Sequence, residues 1–260
     1  MLKMPKLKNN KQYYFLFEEL IKRDFKKRYN RTVLGIIWSV LSPLLMLSVM
    51  ATIFVHFFGR NTPHYIVYLF SGLVIFNYYT EATNEGMNAL MSNASIFSKI
   101  NVPKYLFLFS KNVSVLINFG IILLIYFVFV WFDGIAFTLK FLCLIFPIIC
   151  LIFINVGIGL ILSALFIFFR DIQYLYRLFT QVIMYGSAIF YSIDILPQHL
   201  QILFYFNPIF VCITYFRSIV LHNAIPDLRL HLLLAGYAVV SFGIGCWVYK
   251  KYNYKFLYYV

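Results

Sequence analysis

The sequence predicts an all-α integral membrane protein: six transmembrane helices, an N-terminal amphipathic interfacial helix, and outer re-entrant helices between spans five and six. Three observations predict it. Of 260 residues, 62% are hydrophobic and only 12% are charged, well above the apolar share of about 45–50% of soluble domains. Uncharged runs recur at lengths near the ~20 helical residues that cross a bilayer core, where each backbone amide must find its partner within its own segment. Lys and Arg gather at alternate ends of these runs, the pattern by which cytoplasmic loops retain positive charge. The net charge of +13 does not suit nucleic acid when 30 Phe and 21 Tyr sit in long uncharged runs; anionic lipid and membrane orientation account for it better.

Residues 1–32 form a cytoplasmic N-terminal part and residues 33–260 the six-span part. Within the first, Tyr13 to Tyr29 is amphipathic at about 100° per residue. Tyr13, Tyr14, Leu16, Phe17, Leu20, Ile21 and Phe25 share one face, and Glu18, Glu19, Lys22, Arg23, Lys26 and Lys27 occupy the other. Such a helix lies in the membrane interface. Glu18–Lys22, Glu19–Arg23 and Asp24–Arg28 have the spacing of helical ion pairs,. Asp24 and Arg28 project onto the apolar side, where unpaired charge is costly, so they should pair with each other or with a neighbouring element. A basic membrane anchor without further role is the plainer alternative.

The spans follow as Val33–Phe58, Tyr65–Thr80 extending toward Glu85, Leu106–Phe132, Phe141–Phe169, Leu178–Ile193 and His231–Tyr249. Pro43 and Pro147 should kink their helices. Asn155, Gly159 and Ser163 recur every four residues on the fourth span, a stripe suited to close helix packing more than to substrate contact,. Glu81 and Glu85 stand one turn apart at the inner end of the second span, where an acid is either a gate or partner contact or a snorkelling end residue. With the N-terminus inside, 18 of the 22 Lys and Arg fall on the cytoplasmic side and both termini are cytoplasmic.

Two inner loops and one outer segment are more than connections. Residues 86–104 are rich in Asn and Ser, and Asn88 to Lys99 can form a short helix exposed to a soluble partner, a solvated linker being the alternative,. Residues 170–177 carry Arg170 and Asp171 and can meet the same partner. The outer segment 192–229 is interrupted by Pro197, Pro208 and Pro226, so Leu200–Phe206 and Ile209–Val220 read as half-buried or re-entrant helices broken at Asn207-Pro208,.

No catalytic constellation emerges. His56, His64, His199, His222 and His231 all lie toward the outer side without metal-ligand spacing,, and Cys143 and Cys150, seven apart on one helix face, read as small buried hydrophobes. No G-x-x-x-x-G-K-[ST] motif is present, so the chain has no phosphate cradle of that kind,. Any energy input by that route would come from elsewhere, and a proton relay lacks the necessary run of buried carboxylates.

The stretch RDFKKRYNRTVLGIIWSVLSP, with Arg23-Asp24, Arg28-Tyr29, Leu34-Gly35, Trp38 and Pro43, resembles the passage from interfacial helix into first span of the type-2 permease subunits of bacterial ABC exporters for polysaccharides. NASIFSKINVPKY from Asn93 to Tyr105 is similar to that family's first cytoplasmic coupling element, and Arg170-Asp171 to the start of its second. LPQHLQILFYFNPIFVCITYFRSIVL, with Pro197, Asn207, Pro208 and Arg217, is similar to its outer re-entrant region. The resemblance covers nearly the whole chain. It implies a homodimer in the bacterial plasma membrane with two separate ATP-binding cassette ATPase subunits, which would hold the ATP and Mg while this chain holds no cofactor. It further implies transport of undecaprenyl-diphosphate-linked glycan, such as O-antigen, rhamnan or teichoic acid, through a channel at the dimer interface. Asp24, Arg28, Asn88, Ser92, Asn93, Lys99, Arg170 and Asp171 would then couple to the ATPase, and Tyr29, Trp38, Glu81, Glu85, Asn207 and Arg217 are gate or channel candidates. An exporter of drugs or small lipids on the same architecture, or more distantly a membrane-embedded transferase, are the alternatives.

Overall fold

A computed structural model describes residues 9–29, 37–59, 62–99, 102–254 and 256, with the side chains of residues 9–11, 28 and 29 excepted. The regular elements among its described residues are all helical, without strands. In chain order the helices are α1 (Asn9–Tyr29), α2 (Ile37–Phe58), α3 (Tyr65–Asn88), α4 (Ala94–Phe97), α5 (Tyr105–Phe132), α6 (Ile145–Phe168), α7 (Ile172–Tyr185), α8 (Gln198–Phe204), α9 (Pro208–Val220) and α10 (Leu228–Tyr252). Short 3₁₀ turns precede α4 (Met91–Asn93), α6 (Leu139–Leu144) and α8 (Ile193–Ile195).

Four stretches are long and apolar enough to cross a membrane: Ile37–Phe58, Tyr105–Phe132, Leu139–Phe168 and Leu228–Tyr252. A fifth arises if the bent pair α8 and α9 is one span; the two meet at 102°. The chain is therefore an all-helical membrane protein. Its centre is α3, which packs on α5, α6, α9 and α2. Most of α3 is buried, including Tyr78, Tyr79 and Thr83. A helix enclosed by its neighbours needs no lipid-facing surface, so its moderate hydropathy is tolerated. By contrast α2 buries only Leu47 and leaves Leu45, Met46, Val49, Ile53 and Phe57 exposed.

Close approach of the helices rests on small residues. Gly159 on α6 meets Gly86 on α3, where a methyl at Gly86 would stand 3.0 Å from the Gly159 Cα. Asn155 and Ser163, one turn to either side, are fully buried, so the four-residue stripe does serve packing,. A second contact joins α6 to α10, because a Cβ at Gly157 would collide with the backbone of Ser241, and one at Gly245 with that of Gly157.

Three local expectations are corrected. The helix expected over Leu178–Ile193 runs instead from Ile172 to Tyr185. Gly186 ends it, and Ala188 turns the chain with a left-handed φ of 47°, which an L-residue adopts only where surrounding structure enforces it. Residues 172–177, expected within a loop, are the first turns of this helix. Pro147 does not sit in a helix interior but in the first turn of α6, after a 3₁₀ segment, where its missing N–H has no partner to lose,. The Asn207-Pro208 break is found where expected, with Pro208 opening α9.

Candidate functional site

One end of the bundle gathers the elements singled out for partner contact. The apolar face of α1 contributes Leu16 and Leu20 to a cluster with Leu90, Phe97, Phe107 and Leu108, so α1 docks on α5 and on the turn before α4. A neighbouring cluster joins Met87 and Met91 to Ile172 and Tyr176, and the Tyr176 hydroxyl donates to Thr83 Oγ1 at 2.6 Å. The two inner segments, 86–104 and 170–177, are thus tied to the same end of α3.

Charged groups fasten this arrangement. The Arg23 guanidinium donates to Asp24 Oδ1 through Nε at 3.0 Å and Nη2 at 2.7 Å, and Nη2 also reaches Asn93 Oδ1 at 2.8 Å. Asn93 is fully buried and donates in turn to the Ala89 carbonyl at 2.8 Å. Asp24 is buried, and Lys111 Nζ on α5 lies 3.9 Å from its Oδ1 while bonding Glu85 Oε2 at 2.8 Å. Asp24, Lys27, Glu85, Lys111, Ser114 and Val115 enclose a polar pocket of about 230 Å³. The other carboxylate oxygen of Asp24 has no hydrogen-bond partner among the described residues. Burying charge is tolerable only with such opposite partners, and deleting one leaves the other desolvated and uncompensated.

The expected ion pairs are only partly those observed. Lys22 bonds Glu19 at 3.0 Å, one residue closer than the expected Glu18. Arg23 turns away from Glu19 toward Asp24 and Asn93, because a buried carboxylate gains more from a guanidinium than an exposed one does,. The neighbouring Glu18 carboxylate raises the Tyr14 phenol above its usual range. The pairing of Asp24 with Arg28 lies outside the described residues, as do the side chain of Tyr29 and residues Leu34 and Gly35.

The remaining candidates divide by exposure. Asn88, Ser92, Lys99, Arg170 and Asp171 are exposed at this end. Asn88 donates to the Asn84 carbonyl of its own helix at 2.9 Å, and Asp171 stands at the N-terminus of α7. Trp38 is half exposed at the start of α2, and Glu81 accepts from Asn118 Nδ2 at 3.3 Å.

At the opposite end, Asn207 and Arg217, the other two gate or channel candidates, are both held by bonds within the chain. Arg217 is buried with its guanidinium stacked 3.4 Å above the Tyr68 ring. It donates to Ser71 Oγ at 3.2 Å and to the carbonyls of Ala188, Ile189 and Tyr68 at 2.9, 3.0 and 3.1 Å. It therefore clamps α9 and α3 to the turn after α7. Asn207 caps α9 by accepting from the Ile209 amide at 2.9 Å and donates to the Gly186 carbonyl and Ser187 Oγ, both at 2.9 Å. Sequence reasoning missed Lys111 as a partner of Glu85. The signal was a lone cation opening an otherwise uncharged run.

No group of His, Cys, Asp and Glu among the described residues is arranged to hold a metal ion. His64 instead bonds Asp133 at 2.6 Å, and His231 bonds the Tyr215 hydroxyl at 2.7 Å.

The model of the ABC-2 type transporter family matches residues 16–221. This chain belongs to the ABC-2 type transporter family. Relatives of this ABC-2 chain include an O-antigen export system permease protein RfbA of Klebsiella pneumoniae, 25% identical over 254 residues that make up 96% of this chain and 97% of the relative. The RfbA of Myxococcus xanthus is 28% identical over 42% of each chain. The polysialic acid transport protein KpsM of Escherichia coli is 28% identical over 31% of this chain and 32% of its own. As an ABC-2 type protein the chain is a multi-pass membrane transport subunit, and the matched segment takes in α1 from Leu16 onward, the 86–104 segment and the α8–α9 pair.

Proposed function

We propose that this ABC-2 subunit is the membrane-spanning half of an ATP-driven exporter that moves lipid-linked polysaccharide across the bacterial plasma membrane. The subunit would act as a homodimer, the glycan passing between two copies as an undecaprenyl-diphosphate conjugate, with two separate ATPase subunits on the cytoplasmic side. The observation that carries the reading is the fastening of α1, through Arg23, Asp24 and Asn93, to the 89–97 segment, beside the first turn of α7. A push on any one of these elements is felt by the others and reaches α3 and α5, so they form a single input surface. The near full-length likeness to the RfbA permeases supports a polysaccharide as cargo.

In this reading six crossings are made by α2, α3, α5, the 139–168 stretch, α7 with the turn after it, and α10. Both termini are cytoplasmic, α1 lies in the interface, and α8 and α9 re-enter from the outer side. The exposed apolar side of α2, together with Leu178, Phe179, Val182 and Tyr185 of α7, offers the surface for the second copy. Purification of the tagged chain from its host in mild detergent tests the assembly. An ATPase with a G-x-x-x-x-G-K-[ST] motif at equal stoichiometry is expected. A chain that repeatedly purifies alone would contradict it, and an unchanged surface glycan after depletion would contradict the cargo.

A further inference from the structure

The cytoplasmic ends of α5 and α10 enclose a pocket of about 430 Å³ that the export reading does not use. Its wall is mostly apolar, with Tyr105, Phe109, Leu160 and Cys246, and also includes Lys104, Lys250 and Tyr249. Tyr105 and Cys246 are exposed, so the pocket opens between two helices apolar enough to span the membrane. Lys251 lies 4.9 Å from the Trp247 ring, an aromatic and cation pair of the kind that marks headgroup depth,.

Two of the residues that line the pocket carry polar groups without a full set of partners among the described residues. The Tyr249 hydroxyl is buried and has no hydrogen-bond partner among the described residues. Lys104 is almost wholly buried; its ammonium donates to the Asn253 carbonyl at 2.7 Å and faces the Phe97 and Phe256 rings at 5.8 and 5.5 Å, but no carboxylate pairs with it among the described residues. Burial pushes this amine below the usual lysine range. A buried cation and a buried hydroxyl beside an exposed lysine call for an anion with oxygen acceptors, and the apolar walls call for acyl chains.

We propose that this pocket holds an anionic phospholipid of the cytoplasmic leaflet, its phosphate between Lys104, Lys250 and the Tyr249 hydroxyl, its chains along Tyr105, Phe109, Leu160 and Cys246. The choice of leaflet rests on the orientation proposed above. The lipid ties the C-terminal end of α10 to the start of α5, next to the input surface.

The test uses the complex as purified from its host, delipidated with mild detergent and titrated with phosphatidylglycerol or phosphatidylcholine before native mass spectrometry. Retained phosphatidylglycerol is expected, with Lys104→Gln and Lys250→Gln each weakening retention about fivefold. Cys246→Trp, which fills the pocket without touching the charges, should abolish it. Thermal melting confirms that these variants are folded, and Tyr249→Phe provides a milder loss if Lys104→Gln is not. Equal retention of the two lipids, unchanged retention in Lys250→Gln and Cys246→Trp, or displacement of the lipid by a polyprenyl diphosphate would overturn the proposal. A cysteine placed at Tyr254, probed with a membrane-impermeant maleimide in the Cys246→Ser background, reads the orientation separately. Labelling from outside would overturn the cytoplasmic placement while leaving the measured lipid selectivity as a result of its own.

Discussion

Arg23 and Asn93 stand 70 residues apart in the chain, yet a 2.8 Å hydrogen bond joins the guanidinium of one to the side-chain oxygen of the other. That bond makes α1 and the 89–97 segment one body. Arg23→Ala and Asn93→Ala should each cost about 1.5–3 kcal/mol, the range of a hydrogen bond to a charged group. The double variant should lose little more than either single one. Melting of the four proteins in one detergent checks this, and fully additive losses would show that the two residues act independently.

The clamp at Arg217 is expected to be structural. Lysine cannot reproduce a planar fork that serves three carbonyls and a hydroxyl,. Arg217→Lys should therefore leave buried acceptors unpaired and lower stability by about 1–3 kcal/mol for each one lost. Protease resistance and membrane-inserted yield are the measurements. A well-folded Arg217→Lys protein with an altered export rate or an ion leak would instead assign the residue to a gate.

Helix packing gives a prediction with an internal control. Gly157→Ala and Gly245→Ala should each force α6 and α10 apart and sharply reduce folded protein, because the added methyl meets backbone,. Gly243→Ala and Gly236→Ala, on the same α10, have nothing within 4 Å of the new methyl and should be nearly neutral. Fluorescence-detected size-exclusion profiles distinguish the two groups, and a monodisperse Gly157→Ala protein at normal yield would sink the close-packing claim.

Lys111 carries the charge balance of the polar pocket. Lys111→Met removes the partner of Glu85 and the cation nearest to Asp24 on α5, so it should destabilise the docking of α1 by about 1.5–3 kcal/mol. Adding Glu85→Gln to it should recover part of that loss, since one unpaired charge then disappears. Cleavage of the α1–α2 connection by protease reports the docking, and equal cleavage of wild-type and Lys111→Met proteins would remove Lys111 from the account.

What the sequence revealed and what it hid follow from how local each feature is. The Asn155–Gly159–Ser163 stripe was legible because packing at a four-residue period is written on one helix. The break at Asn207-Pro208 was legible because proline has no amide hydrogen to give. Arg217 was noticed as a charge but its role was not, since its acceptors are backbone carbonyls around Ala188 and carry no side-chain signature. The start and end of α7 were misplaced because its stop is a turn at Gly186–Ala188 that tertiary contacts enforce. Apolar composition alone continues past it. The Arg23–Asn93 bond was hidden by distance in the chain, although Asp24 had already been singled out as a charge on the wrong face.

The measurement that bears most directly on the input surface is ATP hydrolysis and glycan export, determined together for Asp24→Ala and wild type at equal amounts of assembled complex. Hydrolysis retained with export lost is the expected result, because the ATPase would still turn over while its motion no longer reached α3 and α5. Wild-type export in Asp24→Ala would contradict the coupling role of this end of the molecule.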